Sequence, residues 1–296
     1  MREKSRRFIA VDIFYILMMA LPILFSIFLK VVMTPVKEGI VISGALIFME
    51  VPMPVQNLLI TEAQVNSLMV MISILFLCLY MTHGIKNGSW LKRHTIAEIL
   101  VEKTQSMTTG NMGEYFKGFA PFVAAILALS AFSSLMSLFG LYPPTSDVNI
   151  VGGWAILVFV LITYYKMKCG IVQYAKSFAN PVLMAPLNII SEVATPVSMA
   201  FRHYGNVLSG SVIGVLLATG LGGLSNMIFG ALPGFLGDFP FLRVGIPAIL
   251  SIYFDVFSGL LQAYIFAMLT MLYVSGGFPL ELYEQRKLKK RQGAKI

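Results

Sequence analysis

The chain is short of charge. Asp, Glu, Lys and Arg make up 12% of its 296 residues, about half the share of an ordinary soluble domain, while 57% are hydrophobic. That scarcity excludes a soluble globular domain. Cysteine is scarce as well, with two in the chain. Cys78 falls inside an apolar run and Cys169 at the edge of another, so free thiols are expected, with no disulfide framework and no metal site. The net charge of +8 would suit a nucleic-acid surface, but the basic residues flank apolar runs and topology explains them better, so no nucleic-acid partner is expected. No internal repeat is visible, which speaks against an inverted-repeat transporter. An intramembrane hydrolase would have to pair Ser209 or Ser211 with His203, six and eight residues away. On a helix those separations amount to about 120° and 80°, with roughly 9–12 Å of rise, so direct contact is not expected.

What the chain does have is long apolar runs. They are too continuous for barrel strands and call for a helix bundle, whose backbone is satisfied within each segment. Six spans are predicted, at about 8–32, 63–83, 117–141, 150–168, 187–222 and 243–274. The first follows a basic start (Arg2, Lys4, Arg6, Arg7) but is too long for a signal peptide and lacks a cleavage site, so an anchor is expected. Of the 22 Lys and Arg residues, 18 fall on one side of this arrangement: the N-terminus, the 84–117 and 166–176 connections and the C-terminal tail. Lys30, Lys37 and Arg243 fall on the other side, with Asp238 near Arg243 as a solvated pair. The positive-inside rule then puts both termini of a multi-pass membrane protein in the cytoplasm. Residues 33–62, 142–149 and 223–242 become external connections, the last a Gly- and Pro-rich tight or re-entrant loop. Between spans two and three, Ile96, Ile99, Leu100 and Met107 fall near one face. This predicts a short amphipathic helix on the cytoplasmic membrane surface.

The last two spans are unusual. Residues 187–222 would make a helix of about 54 Å and residues 243–274 one of about 48 Å, against a hydrocarbon layer of about 30 Å. A strongly tilted or kinked hairpin is expected, with Pro196 and the glycines of the fifth span permitting bends. Inside the fifth span Ser191, Thr195, Ser198, Arg202, Asn206 and Ser209 recur at steps of three and four, one face of a helix. A permanent cation in mid-span costs from about 3 to more than 10 kcal/mol, and such residues are usually functional. The sixth span carries Asp255, Ser258, Gln262, Thr270 and Tyr273, expected to share roughly one face. In an antiparallel hairpin Gln262 should lie level with Arg202 or Asn206, and Asp255 toward the external side near Ser209 and Ser211. Glu192 and Asn188 lie toward the cytoplasmic end. Two polar zones that do not meet, with an arginine between them, cannot conduct directly. They need a mobile carrier that visits both, and an opposite charge would favour ion release from a carrier carboxylate.

Two stretches resemble a known family. Pro186 to Gly210 (PLNIISEVATPVSMAFRHYGNVLSG) is similar to the signature helix of subunit a of the rotary F-type ATP synthase, and Leu261 to Tyr273 (LQAYIFAMLTMLY) to that family's last helix. The external PPTSDVN run, residues 143–149, resembles the family's loop before the fourth span. The similarity covers about residues 60–276. It implies an all-α integral membrane protein with six transmembrane helices, the last two a long tilted hairpin. The division expected is an atypical N-terminal span and external segment (1–62), a subunit a core (63–276) with the hairpin at about 187–274, and a basic cytoplasmic tail (277–296). It also implies a non-catalytic stator subunit of the membrane sector, without cofactor, metal or nucleotide site, that partners the ring of c subunits, the b-subunit stalk and membrane lipid. Protons or sodium ions would be carried through two offset half-channels, coupled to ATP synthesis. By the match Arg202 corresponds to the family's essential arginine, Asn206 and Gln262 to its polar neighbours, Ser198 to a serine one turn before it, and Glu192 to an acid near the cytoplasmic half-channel. Ser211 and Asp255 occupy positions where ionisable residues of the external half-channel are frequent.

The chain departs from the pattern in places. Ser211 stands where Glu or His is frequent, which leaves Asp255 as the strong acid of the external path. His203-Tyr204 replaces the usual Leu-Phe, and Thr195 stands where a basic residue often precedes the proline. Plainer roles also exist. Asn206 and Gln262 could hydrogen-bond between helices, Ser198 and Ser209 could bond to their own backbone, His203 could be an ordinary interfacial side chain, and Glu192 could cap locally.

Overall fold

The structure, a computed structural model, describes residues 6–34, 44–54, 56–85, 91–168, 170, 171, 174, 185–230, 241–278, 280, 283 and 284. The side chains of Arg7, Phe241, Arg243, Val244, Ala248 and Ser251 are outside that description. So are Arg2, Lys4, Lys37, Cys169, Lys176, Asp238 and the basic run after Glu284.

Six helical stretches are long and apolar enough to cross a membrane: Phe8–Met33, Glu62–Thr82, Glu114–Phe139, Val148–Lys168, Ala185–Phe229 and Gly245–Gly276. The helices are α1 (Arg6–Met33), α2 (Glu62–Thr82), α3 (Lys92–Met112), α4 (Ala120–Leu135), α5 (Val148–Lys168), α6 (Ala185–Phe229), α7 (Phe241–Ser251) and α8 (Gly259–Gly276). Large apolar side chains such as Leu24, Phe28, Ile156, Leu187 and Ile249 face outward, as suits a lipid-facing surface.

Three expectations need revision. The fifth span is longer than predicted, 45 residues or about 68 Å, because the apolar run passes through Gly222 and Gly223 without a break. The sixth is not one continuous α-helix, since Ile252–Ser258 forms a π-helical segment between α7 and α8. The helix between spans two and three has 21 residues. Its Ile96, Ile99 and Leu100 are exposed, but Met107 packs on the core formed by α4, α5 and α8, so its apolar residues do not all share an outward face. The 33–62 connection adds a two-stranded antiparallel hairpin, β1 (Ile47–Val51) with β2 (Leu58–Thr61), that runs directly into α2.

α1 packs along α2 and is tied to it at both ends. At one end Asp12 lies 2.9 Å from His83 Nδ1 and 2.9 Å from Arg93. The Arg93 guanidinium also donates to the His83 carbonyl at 3.0 Å and covers the Tyr80 ring at 4.5 Å. At the other end Lys30 pairs with Glu62 at 3.1 Å, and Glu62 accepts from the Tyr142 amide at 3.1 Å. Asn66 donates to the Tyr142 carbonyl at 2.9 Å. Burial, reinforced by Asp147, Tyr204 and Glu62, holds the Tyr142 phenol above its ordinary pKa. In mid-helix, Ser73 donates to the Met19 carbonyl at 3.0 Å, near the place where Pro22 interrupts the ladder of α1.

The main core is built from Phe116, Phe119, Val123, Val158, Ile162, Met199, Phe266, Met271 and Val274, which join α4, α5, α6 and α8. α8 crosses α4 at close range, since a Cβ on Gly259 would lie 2.6 Å from the Ser134 Cβ. Small residues at such crossings are how membrane helices gain contact. An aromatic cluster forms where the turn after α3 and the end of α5 meet the chain just past α8, with Tyr115, Tyr165, Phe278 and Tyr283 in contact. There Lys168 donates to the Tyr115 hydroxyl at 3.0 Å and lies over the rings of Tyr165 and Tyr283.

Candidate functional site

α6 has two unlike faces. Pro196, Met199, Ala200, His203 and Gly210 are buried against the bundle. Ser191, Ser198, Arg202, Asn206 and Ser209 are exposed. The polar stripe is therefore the uncovered side of the helix. Among the described residues no carboxylate lies within ion-pair distance of Arg202. Several polar groups of this helix are satisfied locally: Thr195 donates to the Ser191 carbonyl at 2.9 Å, Ser209 to Gly205 at 2.6 Å and Ser211 to Leu208 at 2.8 Å. These back-bonds let hydroxyls sit in an apolar helix without an outside partner.

The pairing of α6 with the last segment is antiparallel. Asn206 donates to the Ser258 hydroxyl at 2.8 Å, and Gly210 lies against Phe254, whose Cβ is 3.3 Å from where a glycine Cβ would be. In that register position 262 stands across from 202 and position 255 across from 209, the levels expected from the sequence. The faces differ from expectation. Gln262 and Thr270 are buried on α8, Asp255 and Ser258 are half-buried, and Tyr273 is exposed. The polar residues of this segment therefore differ in exposure along its length, and the π-helical turns with i→i+5 bonding precede α8.

Two polar zones flank Arg202 along α6. The first lies at the level of Ser209. Asp255 is half-buried on the π segment with Ser137 beside its carboxylate. Ser137 follows Ser130, Ser133 and Ser134, three fully or nearly fully buried serines of α4. The second zone lies ten residues the other way, about 15 Å along the helix. There the Lys166 ammonium reaches both Glu192 oxygens, at 2.8 and 2.6 Å. The Tyr174 hydroxyl lies 3.3 Å from Oε1. Burial, then the Glu192 charge, raises the Tyr174 phenol above its ordinary pKa, so it stays a donor. The pair opens on a cavity of about 210 Å³ that Thr195 and Tyr273 also line. Neither zone touches the other, and Arg202 lies between them.

His203 is turned away from the stripe and fully buried. Its Nε2 is 3.3 Å from Ser130 Oγ, and its ring meets Trp154 and Phe266 edge-on, with centroids 5.9 and 5.5 Å away. Nδ1 has no partner. Among the described residues, no group of three His, Cys, Asp or Glu side chains could hold a metal ion.

Sequence reasoning passed over Lys166, read there only as a topological charge, and Ser137. The serine stripe Ser130, Ser134 and Ser137 recurs at helical spacing in the third span and was visible in principle. The Lys166 pairing was not, because it joins residues on different helices.

Residues 64–275 match a family model described as ATP synthase A chain. The chain is 33% identical over 190 residues to ATP synthase subunit a of Desulforamulus reducens, covering 62% of this chain and 66% of that protein. It is 28% identical over 233 residues to that of Trichlorobacter lovleyi, covering 75% and 91%, and 39% identical over 134 residues to that of Priestia megaterium, covering 45% and 51%. The matched stretch is thus less than two thirds of the Desulforamulus and Priestia proteins' own length.

Proposed function

The chain belongs to the ATP synthase A chain family, and from that membership we propose that it is the stator of the membrane sector of a rotary ATP synthase. It carries H+ or Na+ between the two sides of a bacterial cell membrane through two offset half-channels, and a ring of c subunits carries the ion between them. The b-subunit stalk holds it still. ATP chemistry belongs to other subunits. Residues 63–276 form the working core, preceded by the segment 1–62 and followed by a basic tail after 277. Both termini lie in the cytoplasm, as the Lys and Arg distribution supports.

The observation that carries this reading is the uncovered stripe of α6, with Arg202 at its centre, no acid partner among the described residues, and a polar zone at either end. A guanidinium left so in mid-span needs an anionic companion from outside the chain. A carboxylate on a ring helix supplies it. Arg202 favours the empty, ionised carrier, and because it does not deprotonate it blocks a direct leak between the zones. Asp255, with Ser211 and Asn206 nearby, serves the external half-channel, and Glu192 the cytoplasmic one. Gln262 sets the polarity at the arginine level and Ser198 one turn toward Glu192.

The test is Arg202→Ala in the whole complex, reconstituted in vesicles. ATP-driven ion pumping should be abolished while complex content stays near wild type. Pumping retained by an assembled Arg202→Ala complex would overturn the role.

A further inference from the structure

We propose that Lys166 is the positioning residue of the cytoplasmic half-channel: its ammonium competes with the transported cation for the Glu192 carboxylate and drives that cation off into the cavity. The inference rests on the stator reading above and adds a residue to it.

The site is built for this contact. Lys166 ends α5 on the cavity wall, and its ammonium takes both Glu192 oxygens at 2.6 and 2.8 Å. Two charge-assisted bonds from one cation make it a direct rival for any other cation at that carboxylate. The stem has a prepared track. A Cβ on Gly277 would lie 2.7 Å from Lys166 Cε and 3.0 Å from Cγ, so the lysine stem lies directly on the bare backbone just after α8 and a side chain there would push it aside. The pair is not sealed in the core. The two side chains keep 25% and 16% of their exposure, and both border the cavity. A structural brace would gain from closure. A competitor needs room to leave and return.

Among the described residues, four side chains face Glu192. Lys166 comes from α5, Tyr174 from the stretch after it, Tyr273 from α8 and Thr195 from the next turn of α6. Among the described residues lining this cavity, Lys166 is the cation and Glu192 the acid. An ion coming from the Arg202 level meets Thr195 first and then Glu192. Binding there displaces the ammonium, and the returning ammonium displaces the ion toward the cavity. Protons are conserved: what arrives at Glu192 leaves from it, and Lys166 stays charged throughout.

The experiment uses the whole complex in vesicles and measures gradient-driven ATP synthesis against pH on the nucleotide side. Lys166→Gln should cut the rate several-fold at the wild-type optimum and displace the profile toward alkaline pH by on the order of one unit, because without its competitor the carboxylate empties only when protons are scarcer. Lys166→Arg should keep the wild-type profile, and Glu192→Gln should lower the rate without displacing it. If Lys166→Gln fails to assemble, Lys166→Met keeps the stem over Gly277 and carries the same two outcomes. A profile scaled down equally at every pH makes the pair a brace and overturns the inference. Arg202→Ala run alongside separates the failures: pumping retained there removes the stator reading itself, whereas pumping lost there with an undisplaced lysine profile removes only the role of Lys166.

Discussion

Arg202 and His203 are neighbours in sequence with opposite fates. One step on a helix turns a side chain by about 100°, enough to put the guanidinium on the uncovered stripe and the imidazole among Ser130, Trp154 and Phe266. A buried nitrogen without a partner costs about 1–3 kcal/mol, and His203 Nδ1 is one. His203→Leu removes that atom but also the 3.3 Å contact with the buried Ser130 hydroxyl, two effects of similar size and opposite sign, so the complex should change little in thermal stability and keep its transport rate. A clear fall in transport with normal assembly would instead put His203 in the ion path. Asp255 is a different case, half-buried beside Ser137 on a segment that opens toward the Ser209 level. Asp255→Asn keeps the shape and removes the charge. Ion transport should slow at least several-fold with the complex intact, and an unchanged rate in a vesicle pumping assay would take Asp255 out of the external path.

At the scale of elements, packing depends on small residues where helices cross. Gly259 on α8 meets Ser134 on α4 so closely that a methyl group would clash at 2.6 Å. Forcing extra volume into a packed contact costs about 1–3 kcal/mol. Gly259→Ala should lower the melting temperature of the complex and its amount in membranes, and Ser134→Gly in the same chain should recover most of the loss. No recovery would mean that the crossing is looser than described. Which elements were legible follows from the same physics. The six spans could be read directly because hydropathy over about 20 residues is a strong signal, and the register of the hairpin followed from antiparallel packing. The π-helical segment could not be read, because Ile252–Ser258 has nothing in its composition that separates it from an α-helix. The extension of α6 to Phe229 was missed because paired glycines at 222 and 223 look like an ending, and apolar surroundings let the helix run on. The Lys166–Glu192 pair joins residues 26 apart on different helices, and no local pattern foretells it.

At the scale of the molecule, the two sides of α6 are unlike in kind. One is packed into a core of Met, Phe and Val side chains. The other is polar at its centre and carries a cation that has no acid partner among the described residues and that lipid alone would not tolerate. The ion ties at both ends of α1 and the aromatic cluster around Lys168 hold the remaining helices as a support behind that open side. In the function proposed above, that open side is the surface that faces the ring. The relatives from Desulforamulus, Trichlorobacter and Priestia carry a name that fits this reading.

Disulfide trapping in the assembled complex tests that claim most directly. Single cysteines go in at Ser198, Asn206 and Ser209 on the open stripe and at Ala200 on the packed face, each combined with a cysteine beside the ring carboxylate. The account predicts rapid cross-links from the three stripe positions and none from Ala200. Cross-links from Ala200 with none from the stripe would contradict it.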